Sequence, residues 1–411
     1  MVDYIIRFLA SLRLTVVLLV LGLILIFLGT LVQEPLGLYL AQDRFFHSVF
    51  VDLAAMKAAV KKGLQMVGVY LPPSTALEVM RAPYIPVYPG GYLLGGMLVI
   101  SLIAAHFARF KFTKKKLGIF LTHLGLILLL IGQLFTDVLS TESAMRMAEG
   151  ETKNYSQDFH ENELVVIDTA DSGQDKVVAI PERRVAQQNE IRHEALPVTV
   201  RVLKFWQNAS LFSSAAPQAE PVGATQGIGV GAYLQPLPPV TSMEERNLPA
   251  ALLEFIGPAG SLGKWLVSSQ TSAKQEFSVG GHSYRIAMRF TRHYKDFSLK
   301  LLEFRHEKYR GTEIPRDFRS RVVIDNPRTG ENREVDIYMN NPLRYGGLTF
   351  YQAGFDENND RLVNKVTILQ VVKNPGWLGP YLACGIMTLG LVIQFGIHLV
   401  GFAAKRRTKT T

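Results

Sequence analysis

His123 stands inside an uninterrupted apolar run, Phe120-Leu-Thr-His-Leu-Gly-Leu-Ile-Leu-Leu-Leu-Ile-Gly132. An ionisable side chain at such a depth is costly without a partner, and imidazole is a good axial ligand for haem iron. His123 lies about six residues into its helix, roughly 9 Å from the end at about 1.5 Å per residue. Gly118, Gly125 and Gly132 recur at seven-residue spacing. At about 100° per residue they form a stripe roughly opposite His123. One helix face can therefore pack closely through glycine while the other presents an imidazole. The alternative for His123 is a neutral ring bonded to a backbone carbonyl or to Thr122. His106 and His398 fall near span ends and read as interfacial. Of these, His106 adjoins a basic loop and is a weaker candidate for the same cofactor. His47 has no evident role.

Other chemistry is sparse. There is no nucleophile elbow, zinc-protease pair or phosphate loop. His160, His193, His282, His293 and His306 are scattered. Arg305, Lys308, Arg310, Arg316, Arg319 and Arg321 form a basic cluster that reads as a solvated face or as a receiver of acidic groups. Cys384 is the single cysteine, so neither an intramolecular disulfide nor a CxxC or CxxCH motif exists. It lies in an apolar block and reads as a packing residue.

These residues must be positioned by an integral membrane protein with four transmembrane helices and a large, mainly β domain outside the cytoplasm. A bilayer core takes about 20 apolar residues per helix. Four blocks qualify: Leu14–Leu31, Ile85–Phe107, Leu117–Phe135 and Trp377–Phe402. The first is too long for a signal peptide and no A-x-A site follows it, so it reads as a retained anchor. Basic residues flank one side: Arg7 and Arg13; Arg109, Lys111 and Lys114–Lys116; and Lys405–Arg407 with Lys409. That side, with both termini, should be cytoplasmic. These clusters carry the whole +9 net charge of the 411-residue chain, so its basicity reports topology and gives no support to nucleic-acid binding.

The organisation expected is residues 1–33 with the first span, and 34–84 as a short external segment. Residues 85–135 hold two spans and the basic loop, 136–375 form the large external domain, and 376–411 hold the last span. Lys57, Lys61 and Lys62 among Leu53, Met56, Val60, Leu64 and Met66 predict an amphipathic helix of a kind that can lie on a membrane surface. In the large domain, Leu164–Ile167, Val198–Val202, Leu252–Phe255, Tyr284–Phe290, Leu299–Phe304, Val322–Ile324 and Lys365–Val372 read as strands between turn residues. They predict an antiparallel sheet or sandwich. The stretch from Ala209 to Pro239 reads as a long loop.

Two runs are then recognisable. Phe297–Ser320 (FSLKLLEFRHEKYRGTEIPRDFRS) and Asn340–Gln352 (NNPLRYGGLTFYQ) resemble the ResB family, also called CcsB. Glu149-Gly-Glu, Asn374-Pro-Gly, and Ser11-Leu-Arg-Leu-Thr with Gly29-Thr-Leu-Val-Gln agree in order. The resemblance implies a subunit of the system II cytochrome c synthase in a bacterial inner membrane. Such a subunit helps carry haem b, as a transported substrate, across the membrane for attachment to CxxCH of apocytochrome c. It implies a polytopic CcsA/ResC-type partner bearing W-x-W-D, with a thioredoxin-like apocytochrome reductant as a further partner. Trp206, Trp265 and Trp377 are the only tryptophans and none has that context, so the haem-presenting half is expected on a separate subunit. The resemblance also implies that His123 is one of two histidines on an intramembrane haem, the other coming from the partner. The rival readings are an electron-transfer cytochrome b, which needs a mate for His123 within this chain, and a scaffold that docks apocytochrome without haem. Asn340–Gln352 is the expected contact surface, with Tyr351 and Gln352 buried by default.

Overall fold

The computed structural model describes residues 2–109, 113–170, 175–187, 189–240, 245–311, 315–355 and 365–407. Lys111, Lys409, the expected turns at Asp171–Gly173 and Asn359–Asp360, and Thr312–Ile314 lie outside them. Contacts divide the chain into two compact units. One holds Met1–Thr141, Thr241–Met243 and Asn374–Thr411; the other holds Glu142–Val240 and Glu244–Lys373.

The first unit is helical. Helix α1 spans Val2–Leu9, α2 Leu12–Leu31, α3 Leu53–Met66, α4 Gly91–Arg109, α5 Leu117–Leu139 and α6 Gly379–Arg407. Among the described residues, three helices are long and apolar enough to cross a membrane: Leu12–Leu31, Lys114–Leu139 and Gly379–Ala403. The second expected span is shorter than its apolar block. Pro86–Pro89 forms a strand paired with Phe50–Asp52, and the helix begins only at Gly91, leaving Gly91–His106 as its apolar part. Prolines cannot donate to a helical ladder, and two glycines then permit close backbone contact. A Cβ on Gly90 would lie 2.3 Å from the Ser48 carbonyl oxygen, and one on Gly91 2.2 Å from that of Phe46.

Polar pairs orient α4 on α2. Thr15 and Ser101 hydroxyls meet at 3.0 Å, and the Tyr88 hydroxyl donates to the Leu21 carbonyl at 2.9 Å. Helix α3 is present as expected, N-capped by Asp52, whose carboxylate accepts from the Ala54 and Ala55 amides. Its buried face is nevertheless Ala55, Ala58 and Ala59, while Val60, Leu64 and Met66 are exposed. Small side chains let α3 approach its neighbours, and the larger ones turn outward. Cys384 is exposed on α6, which corrects its reading as a packing residue.

The second unit is mainly β. Ten strands form its large sheet: β1 Thr141–Ala148, β2 Thr152–Asp168, β3 Lys176–Pro181, β4 Gln275–Val279, β5 His282–Lys308, β6 Pro315–Asn326, β7 Glu331–Tyr338, β8 Leu343–Tyr345, β9 Leu348–Phe355 and β10 Val366–Lys373. The order across it is β7-β6-β5-β2-β1-β10-β9-β8, with β3 added on β2 and β4 on β5. The two runs read as Tyr284–Phe290 and Leu299–Phe304 are one 27-residue strand, β5. Its pairing with β2 shifts register at Phe290/Arg292 and Tyr294/Leu299, so the strand bends and serves two cores. Leu164, Ile286 and Met288 pack with Leu253, Phe255, Val267 and Phe277 in one. Met145, Leu299, Leu301, Phe304, Phe350 and Leu369 pack in the other.

The stretch Ala209–Pro239 is not a plain loop. It carries a three-stranded sheet (Ala209–Phe212, Glu220–Pro221, Tyr233–Pro236) around buried Ala209, Val222 and Leu234. Positive φ at Gly223, Gly227 and Gly231 is what its Gly-rich composition supplies.

Candidate functional site

The glycine stripe of α5 packs on α6. A Cβ on Gly118 would lie 2.5 Å from the Gly390 carbonyl oxygen, and one on Gly125 2.4 Å from Met387 Cγ and 2.8 Å from the Ala383 carbonyl oxygen. These helices touch backbone to backbone, as small-residue stripes allow. That contact turns the opposite face of α5, with His123, away from α6.

His123 there meets His106 of α4. The two ring centroids are 6.3 Å apart with planes at 85°, and the Phe120 ring centroid lies 4.6 Å from that of His106. Thr122 donates its hydroxyl to the Gly118 carbonyl at 2.9 Å, within its own turn, so it is not committed to His123. Among the described residues no hydrogen bond to the His123 ring is found. Both histidines are half-buried. His398 instead pairs with Gln394 of its own helix at 3.0 Å and takes no part in this contact.

By Cα position His106 lies nearer a helix end than His123 does. Side-chain direction removes that difference. In a helix every side chain leans towards the N-terminus. Helix α4 runs towards the basic loop and α5 runs away from it, so the His106 ring leans inward and the His123 ring outward. Counting Cα positions from the ends cannot register this convergence.

The two imidazoles are the residues of this contact that could hold a haem iron, for which imidazole is a suitable ligand. Lys114, Lys115 and Lys116, all exposed, form the turn that opens α5. Three cations at the positive end of a helix have the wrong sign for helix stability. They give this end an attraction for anionic groups such as propionates.

In the second unit the recognisable runs mostly build turns. Gly346 and Gly347, at φ 59° and 74°, make the two-residue turn joining β8 to β9. Asn340, at φ 62°, sits in the tight turn closed by the Tyr338–Asn341 bridge. Glu149 accepts a hydrogen bond from the Phe304 amide at 2.8 Å, and Gly150 at φ 84° turns the chain between β1 and β2. In the first unit, Asn374 accepts from the Gly376 amide at 2.8 Å. Gln352 joins a half-buried polar set with Ser320 at 2.6 Å and Thr367 at 2.9 Å, in keeping with a structural role. Tyr351, 40% exposed, is not buried, which corrects that expectation and leaves its ring available for contact. In the basic cluster, Arg305 pairs with Glu303, Arg319 with Asp317 and Asp336, and Arg321 with Asp336. His306 is stacked on Phe318 at 4.6 Å and lies 4.4 Å from Phe355, in an aromatic cluster.

A cavity of about 820 Å³ opens on the other half of β5, with Tyr155, Tyr294, Arg285 and Arg292 on its walls. Arg292 lies over the Tyr155 ring at 4.1 Å. Nearby, Lys295 donates to the Ser156 hydroxyl at 2.7 Å and to the His293 carbonyl at 2.9 Å. Burial pushes its ammonium down to about 8. The unfolded chain titrates near the ordinary value of 10.5, so between about 8 and 10.5 it holds more protons than the folded one and stability rises with pH. Below that window both forms are charged and the burial cost is paid in full. Lys295→Met is expected to raise the melting temperature at neutral pH, with the gap from the parent shrinking as pH rises. A gap independent of pH would show that the amine is not desolvated.

The ResB-like family profile matches residues 251–368, which run from the first inner core to β10. Over 299 residues the chain is 24% identical to Protein NrfI of Wolinella succinogenes, covering 72% of this chain and 29% of that protein. The chain thus spans less than a third of the length of this curated relative.

Proposed function

We infer that this chain, a member of the ResB-like family, is a haem-handling subunit of a cytochrome c maturation system. It crosses the bacterial inner membrane four times, α4 being the short span, with the basic ends cytoplasmic and the β unit outside. Its substrate is haem b, passed with a CcsA/ResC-type partner to the CxxCH thiols of apocytochrome c. His123 is an axial ligand, and the exposed face at Tyr351 meets apocytochrome or its thiol reductant. Joining vinyl groups to two thiols is a positioning problem, which suits a rigid β unit.

The observation that carries this reading is the His106–His123 contact at 6.3 Å, beside Lys114–Lys116. It offers an axial pair within one chain, where the sequence reading looked to a partner for the second imidazole. Co-purification with the partner, followed by a haem spectrum, tests it. His123→Ala is expected to remove most of the retained haem, and added imidazole to restore it. Unchanged haem content would sink the assignment.

The same contact favours a second reading, an electron-transfer cytochrome b, since it supplies the mate that reading requires. A reversible b-type spectrum from this chain alone, with no transfer of haem to apocytochrome, would select it.

A further inference from the structure

Strand β5 is longer than any strand paired with it. On one side it pairs with β2 over most of its length. On the other, β4 covers residues 282–286 and β6 covers residues 298–308. Between these two, residues 287–294 have a strand neighbour only on the β2 side. Among the described residues they make no other backbone–backbone hydrogen bond. The open edge is eight residues long, about 26 Å at about 3.3 Å per residue. Such a row of unpaired N–H and C=O groups is a template for one more strand.

The cavity of about 820 Å³ lies along this edge. Ala287, Met288, Arg289 and Phe290 all line it. Successive strand residues point to opposite faces, so a cavity that meets four in a row reaches the edge between the faces. Val165 and Ile167 of β2 supply apolar lining, and residues 269–272, from the segment leading into β4, complete the wall.

The charge of this cavity is one-sided. Lys274, Arg285, Arg289 and Arg292 line it against a single carboxylate, Asp175. Arg285 and Arg289 are paired with Glu276 and Glu163. No carboxylate pairs with Arg292 or Lys274 among the described residues. Arg292 lies over the Tyr155 ring at 4.1 Å, and its Nε is buried without a hydrogen-bond partner among those residues. A guanidinium held on an aromatic face keeps its planar fork of donors in place. A carboxylate brought beside it gains a charge-assisted hydrogen bond. In strand addition the main chain supplies affinity and alternate side chains supply specificity. A second copy of the same edge would bring like charges together, which opposes self-pairing.

We propose that residues 287–294 of β5 are a docking edge for an extended acidic segment of a partner protein, which adds as a strand and sets carboxylates against Arg292 and Lys274. The proposal does not depend on the haem reading.

The test is fluorescence anisotropy on the purified full-length chain in detergent. The probe is a labelled peptide of about ten residues alternating Glu with Val or Thr, long enough to span the edge. It is expected to bind, and the same peptide with Lys in place of Glu to bind at least roughly tenfold more weakly. N-methylation of one alternate set of its amides should abolish binding and of the other set should be tolerated, because the alternation pins its register. Arg292→Gln is expected to weaken binding roughly 10–100-fold, the range for a lost charge-assisted hydrogen bond. Unchanged tryptophan fluorescence checks that this variant folds. If it does not fold, Lys274→Gln, at an exposed position, carries the same test with a smaller loss. No binding of the acidic peptide, equal binding of the basic one, indifference to both N-methylations, or an affinity that neither variant changes would overturn the proposal. A dimer by light scattering that excludes the peptide would give the edge to a second copy and overturn it as well.

Discussion

Gly125→Leu is expected to abolish recovery of monodisperse protein from detergent extracts. A Cβ at this position already lies 2.8 Å from the Ala383 carbonyl oxygen and 2.4 Å from Met387 Cγ. The methionine end can move, but the carbonyl belongs to the α6 backbone. Overpacking a well-fitted core costs about 1–3 kcal/mol where side chains can adjust. Here two helices must separate, and the contacts at Gly118 and Gly390 open with them. Gly390 is equally tight, with a Cβ there 2.7 Å from the Thr122 amide nitrogen. Gly95 and Gly96 on α4 are the control, since a Cβ at either meets nothing within 4 Å. Alanine there should be tolerated and could add about 0.5–1 kcal/mol of helix stability. Fluorescence-detected size exclusion separates the outcomes. A normal Gly125→Leu peak would mean that the stripe does not hold α5 to α6. The site depends on the result, because that packing turns His123 towards His106.

Arg289→Met is expected to destabilise the β unit by about 3–5 kcal/mol, the cost of stranding one member of a buried ion pair. Arg289 and Glu163 are directly opposed on β5 and β2, and their side chains meet at 2.8 Å with exposures of only 13% and 9%. Removing the guanidinium leaves a carboxylate in the sheet without the cation it is paired with among the described residues. At roughly 2–4 °C per kcal/mol for a domain of this size, the melting temperature should fall by roughly 6–20 °C. Trp206 and Trp265 report on this unit by intrinsic fluorescence. Pairing the substitution with Glu163→Leu should recover much of the loss, because a well-packed apolar pair replaces a buried salt bridge at little net cost. A single variant that melts like the parent would show that water reaches Glu163. A double variant no better than the single would show that packing, and not charge, was lost.

Much of the architecture was legible in the chain. Long apolar runs have few soluble uses, so α2, α5 and α6 follow from composition. The alternating runs became strands because period-two patterning buries one face of a sheet. The glycine stripe was readable too, since seven-residue spacing on a helix defines one face. Less legible was anything set by a neighbour. The block at Ile85–Phe107 looks like one span, yet Pro86 and Pro89 divert its start into a strand. Ala209–Pro239 has loop composition, yet three short strands close on Val222 and Leu234. The face of α3 that is buried is its alanine face, because close packing selects small side chains over the most apolar ones.

For the candidate site the division is sharper. Sequence alone determined that an imidazole would lie within an apolar helix, and that a glycine face would lie opposite it. Periodicity is a local property and needs no neighbour. The tertiary structure decided which residues those faces meet: α6 for the glycines, and His106 for His123. The physical reason is that helix direction sets side-chain lean. Two antiparallel helices bring together rings whose Cα atoms lie at different depths, and only their packing reveals which rings converge.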